Sequence, residues 1–166
     1  RLGIECLLAD DPGQARALAE VLHAINAERR GLQAGMLAAA DAALARVSAD
    51  AAAPATGYCL YDPHWHAGVI GLVASRIKER RHRPVLAFAP SGNGDGMLRG
   101  SMRSIPGFHA RDALALIDAR HPGLIERFGG HAMAAGLSLA EPGLPAFRDA
   151  FAQVLHDSLD PGLLLE

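Results

Sequence analysis

The chain has 166 residues, half of them hydrophobic and only eight aromatic, with a formal net charge of −2. That length suits one ordinary domain with an appended element, and it is enough to bury a core. The balance excludes an intrinsically disordered chain, and as a total it argues mildly against a nucleic-acid binder, which is usually basic overall.

Asp11 followed by Pro12 reads as a helix N-cap with proline at the first helical position. Apolar residues then recur at three- and four-residue steps, at Leu18, Leu22, Ile25, Leu32, Met36, Leu44 and Val47. This predicts one long amphipathic helix to about Ser48. Gly31 and Gly35 weaken it and mark a candidate bend. Residues 50–56, with Pro54, read as a break or linker. Beyond the break the pattern becomes strands at 57–61, 84–89, 97–104 and 136–140, and helices at 68–81, 110–119 and 144–159. The first of these helices carries Val69, Leu72, Val73 and Ile77 on one side. The SGNGDG run at 91–96 reads as a hairpin turn, not a phosphate loop, because it lacks a Lys-Ser/Thr ending. Strands alternating with helices predict an α/β fold. The expected architecture is a mixed β-sheet flanked by helices, preceded by a long N-terminal connecting helix. The expected division is a connecting segment at 1–55 and a domain at 56–166.

Charge is unevenly placed. Residues 76–127 hold ten basic and five acidic side chains, a net +5, which leaves −7 for the rest. Fifteen of the sixteen basic residues are Arg, Lys78 being the exception. Guanidinium forks suit phosphate, although a GC-rich coding sequence gives the same bias. Cys6 and Cys59 form no CxxC pair, which excludes a zinc ribbon and fits a reducing, cytoplasmic setting. No apolar run approaches the roughly 18 residues that span a membrane, and no signal peptide is visible. The chain opens on Arg1, not Met, which is the expectation for a piece of a longer protein.

Three constellations can carry chemistry. In Arg127-Phe128-Gly129-Gly130-His131, the glycines admit close approach of a ligand, and His131 can give a phosphate a hydrogen bond or a proton. The plainer alternative is a glycine turn before a small-residue helix. In Arg99-Gly100-Ser101-Met102-Arg103, strand alternation puts Arg99, Ser101 and Arg103 on one face. A hydroxyl between two guanidinium forks suits a terminal phosphate; the alternative is the solvated face of an edge strand. In His64-Trp65-His66-Ala67-Gly68, a strand-to-helix turn places His66 near a helix N-terminus, a favoured place for anions. Alternating histidines also raise a metal, but no Cys or carboxylate cluster accompanies them. Trp65 is a candidate base-stacking residue or a core residue. No serine-hydrolase or paired-carboxylate motif stands out.

Taken in order, HWHAGVIGLVASRIKERRHRPVLAFA, GSMRSIPGFHARDAL and FGGHAMAAGLSL resemble bacterial RecJ, the single-stranded-DNA-specific 5′-to-3′ exonucleases of the DHH phosphoesterase superfamily. The resemblance covers the DHH-associated domain at 56–160, and INAERR at 25–30 looks like the helix that joins the two RecJ domains. Ala67 stands where family members often have Pro. The resemblance implies metal-assisted phosphodiester hydrolysis with Mn2+ or Mg2+ in a preceding DHH domain, whose Asp-His-His motif does not occur here. No metal ligand and no cofactor are therefore expected in this chain. It further implies that Gly129, Gly130 and His131 contact the phosphate near the scissile bond, His131 as the catalytic member. Ser101 and Arg103 belong to a 5′-phosphate pocket, and Arg99, Arg127 and His66 are expected on the substrate. The partners implied are single-stranded DNA with a 5′ end, the DHH domain and an accessory single-stranded-DNA-binding protein, with no membrane. The alternatives are a superfamily phosphodiesterase acting on nano-RNA or cyclic dinucleotides, and a pure nucleic-acid-binding module. The chain alone is expected to be inactive.

Overall fold

A computed structural model describes residues 2–50 and 56–164. The chain divides into two compact units, Arg1–Gly35 and Met36–Glu166.

In the first unit a short helix α1 (Leu2–Leu7) precedes the start of a long helix α2 (Pro12–Asp50). The expected cap is present: the Gln14 amide donates to Asp11 Oδ2 at 2.7 Å. Helix α2 stays helical through Gly31 and Gly35. Its apolar stripe is less buried than the periodicity implies. Leu18 and Leu22 are half-buried, whereas Ile25 and Leu32 are exposed. Periodicity marks a face that can be buried but supplies no partner for it. The linker residues 51–55 and the side chains of Leu44 and Val47 lie outside the described residues.

The second unit holds a five-stranded mixed sheet. Its strands are β1 (Tyr58–Tyr61), β2 (Val85–Pro90), β3 (Met97–Arg103), β4 (Arg127–Gly130) and β5 (Ala134–Ala140), in the order β1-β2-β3-β5-β4. Strands β1 and β2 pair in parallel, and every other pair is antiparallel. The parallel pair needs a crossover, which helix α3 (Ile70–Arg81) supplies. The antiparallel β2–β3 pair closes through the 91–96 loop, where Gly92, Gly94 and Gly96 all have positive φ, as expected of a glycine-rich hairpin.

Strand β2 explains the layering. Its VLAFAP sequence is apolar on both faces because both faces are covered. Val85, Ala87 and Ala89 pack with Val73, Ala74 and Ile77 of α3. Leu86 and Phe88 face the larger core with helix α4 (Ala110–Arg120) and helix α5 (Leu144–Ser158). There Phe88 meets Phe147 edge-on, with centroids 5.4 Å apart, and Phe147 stacks on Phe151 at 6.4 Å. Such pairs add about 0.5–1.5 kcal/mol to simple burial.

Two expectations need correction. Leu72 does not join the buried side of α3; it is 37% exposed, because only the face carrying Val73, Ala74 and Ile77 meets the sheet. The residues after Gly130 form no small-residue helix. They turn into β5, and β4 itself is a strand that the glycine-rich RFGG sequence conceals. Trp65 is a core residue, 6% exposed, and not a platform for a base. Its indole N–H has no partner among the described residues. Burial raises the Cys59 thiol to about 11, with Arg148 partly offsetting it, so this cysteine is a packing group at neutral pH.

Candidate functional site

On one sheet face helix α3 packs over β2 and β3, with Tyr58 and Leu60 of β1 in the same buried cluster. The rest of that face is open, and strand register fixes what lies on it. One row across β3, β5 and β4 is Arg99, Ser138 and Arg127. The next is Ser101, Gly136 and Gly129. The third is Arg103 and Ala134, with His131 just past the end of β4, its amide bonded to Ala134 O at 2.8 Å. Six of the eight residues expected on the substrate are thus gathered on one face, and Gly130 turns its backbone beside them. Strand β3 is central in the sheet, so this is not the solvated face of an edge strand.

Arg103 is the most constrained member. Its Nε donates to Ser75 Oγ at 3.1 Å, and its Nη1 donates to Ser101 Oγ and Met102 O, both at 2.8 Å. Ser75 in turn donates to Gly71 O at 3.0 Å. A Cβ on Gly71 would sit 2.7 Å from Arg103 Nη2, so glycine opens the place where the guanidinium lies. Among the described residues no carboxylate pairs with Arg103, and burial pulls its pKa down. The cation also lies against the first turn of α3, which has no side-chain cap. A positive charge at the positive end of a helix costs stability unless an anion joins them. Ser101 accepts from Arg103, which leaves its own O–H free to donate.

Gly130 and His131 differ in kind. Gly130 has φ 145°, and a Cβ there would lie 2.5 Å from Ala134 O and Ala135 Cα. The hairpin therefore requires glycine. Gly130→Ala is expected to lower stability by about 2 kcal/mol, read as a fall in Tm. The His131 ring is exposed and makes no hydrogen bond among the described residues, so both nitrogens are available.

Arg99 and Arg127 flank the site, and Arg127 Nε reaches Ser138 Oγ at 3.5 Å. His66 stands apart from the three rows. Its Nδ1 accepts from the Gly68 amide at 3.1 Å, its own amide donates to Met36 Sδ at 3.4 Å, and it makes no hydrogen bond to the open face. Among the described residues no group of three or more His, Cys, Asp or Glu is placed to hold a metal ion. No described helix is long and apolar enough to cross a membrane.

Sequence reading missed Gly71, Ser75, Gly136 and Ser138. Each pair had a usable signal: Gly71 and Ser75 are one helical turn apart, and Gly136 and Ser138 share a strand face. What was missing was the knowledge of which face turns toward Arg103.

Residues 51–157 match the DHHA1 domain family. The chain is 50% identical over 163 residues to the single-stranded-DNA-specific exonuclease RecJ of Dickeya dadantii, covering 98% of this chain and 28% of that protein. Its fold is similar to that of RecJ from Thermus thermophilus in complex with Mg2+. There the TM-score is 0.74 and the identity 35%, over 94% of this chain and 22% of that one. The Mn2+ complex from the same organism gives 0.73 and 35%, over 93% and 21%. The chain therefore spans about a quarter of the length of these RecJ proteins.

Proposed function

The chain belongs to the DHHA1 domain family, and from that membership we propose that it is the substrate-binding half of a single-stranded-DNA-specific 5′-to-3′ exonuclease. In this reading residues 56–166 form the substrate domain, and 1–55 connect it to a metal-bearing DHH domain. The observation that carries the proposal is Arg103: a half-buried cation with no acid partner among the described residues, set against a helix N-terminus beside a free hydroxyl. That arrangement stabilises an anion with directed donors and suits a terminal phosphate.

The 5′-phosphate lies against Arg103 and Ser101, with Ser75 and Gly71 fixing the guanidinium. His131, at the other side of the same row, meets the phosphate at the scissile bond and gives it a hydrogen bond or a proton. Gly129 lets the strand come close to the sheet, and Arg99 and Arg127 hold it. His66, at the loop before α3, contacts the substrate from the helix side. The Mg2+ or Mn2+ of the family does not fit the described residues, which offer no ligand cluster. In this reading the metal is held by the DHH domain.

The chain by itself is expected to bind 5′-phosphorylated single-stranded DNA, with an affinity that falls as salt rises. It is expected to hydrolyse nothing, even with Mn2+. Metal-dependent hydrolysis by the purified chain would overturn the half-site reading, and absence of binding would overturn the substrate. Turnover of long single strands against dinucleotides, by the protein joined to its DHH domain, separates this reading from a small-substrate phosphodiesterase.

A further inference from the structure

We propose that the row Arg99–Ser138–Arg127 is a second phosphate subsite, holding an internal phosphodiester of the same strand whose 5′ end lies at Arg103. The proposal rests on the nucleic-acid reading above.

Arg99 and Arg127 stand on either side of β5, their backbones about 10 Å apart by strand spacing. Among the described residues neither has an ion-pair partner. Two like charges facing one another across a serine repel unless an anion sits between them. The space for one exists: a shallow cavity of about 260 Å3 is lined by Arg99, Arg127, Gly129, Gly136 and Ser138.

The glycines of this floor are not required by the fold. A Cβ on Gly129 would meet nothing within 4 Å, and one on Gly136 would meet only Gly100 O at an ordinary 3.7 Å. Neither has positive φ. Glycine weakens a strand, so two facing glycines that the packing does not require suit the close approach of another backbone. Gly100 on the opposite face is the contrast: there a Cβ would collide with Phe88 and Leu137 at 2.5 Å.

The occupant follows from the chemistry. The three rows carry no aromatic side chain, and Phe128, which also borders the cavity, packs against the larger core, so the face offers no stacking platform and grips the sugar–phosphate backbone. Three residues of β3 separate Arg99 from Arg103, four strand steps or about 13 Å, which gives a strand room for more than one nucleotide. Asp95 and Glu126 line the adjoining cavity beyond Arg99. Asp95 is held ionised by Ser91 Oγ at 2.6 Å and the Met97 amide at 2.9 Å. These acids bound the cationic track at that end.

The test uses this chain with 5′-phosphorylated oligothymidylates from one to twelve nucleotides, by fluorescence anisotropy over a salt series. The Arg99→Gln/Arg127→Gln double variant is expected to lose about tenfold on the long oligonucleotide and nothing on the mononucleotide. Its log K against log salt slope should shrink by about 0.7, one phosphate's share for a single strand. Gly129→Ala should also weaken the long oligonucleotide while its Tm holds or rises. Unchanged affinity and slope for the double variant on an oligonucleotide that the unsubstituted chain binds would overturn the subsite alone. Equal losses on the mononucleotide would mean an isolated anion site and overturn it too. No binding by the unsubstituted chain would overturn the nucleic-acid reading and the subsite with it.

Discussion

His131→Ala is expected to lower turnover of single-stranded DNA by about two to four powers of ten in the protein joined to its DHH domain, the usual range for a lost general acid or base. The fold should not notice. The ring is exposed and touches no hydrogen-bond partner among the described residues, so Tm should move by no more than a surface substitution moves it, about ±0.5 kcal/mol. A role in chemistry also predicts that kcat falls more than KM rises, because the ring acts on the phosphate as charge develops there. A large loss of Tm, or a loss confined to KM, would argue for a structural or purely binding role. The neighbour supplies the control: Gly130→Ala strikes the backbone of the same turn and should damage stability first.

Arg103→Ala is expected to abolish the preference for a 5′-phosphate over a 5′-hydroxyl end, by about 100-fold. Charge-assisted hydrogen bonds to an ion contribute about 1.5–3 kcal/mol. The loss should be selective, with 5′-hydroxyl strands nearly unaffected. Arg103→Lys should recover only part of it, because an ammonium keeps the charge but loses the fork that reaches Ser75 and Ser101 together. Stability should move the other way. Burial opposes this cation and no carboxylate offsets it among the described residues, so Arg103→Met is expected to hold or raise Tm. Equal kinetics on the two kinds of end, measured side by side, would remove Arg103 from the phosphate pocket.

Much of this was legible in the sequence because periodicity is local. The two-residue repeat through Arg99, Ser101 and Arg103 needs only a strand, and β3 is one. Asp11 and Pro12 cap a helix for reasons contained in four residues. The three-glycine hairpin at 91–96 needs only backbone freedom. Strand β4 was not legible. RFGG has low intrinsic preference for a strand, and it becomes one because β5 offers an unpaired edge in register with it. Leu72 reads as core by spacing and is exposed because α3 packs with a narrower face than its apolar residues span.

The sequence by itself determined the alternation of strands and helices, the basic centre from 76 to 127, and the residue types a phosphate needs. These depend on neighbours along the chain and on composition. Only the tertiary structure decided that Arg99, Ser138 and Arg127 form one row, that Arg103 lies against α3, and that His131 ends the row that Arg103 begins. Sheet register and the crossover join residues far apart in the chain. They are set by which faces bury together, a choice no single segment contains.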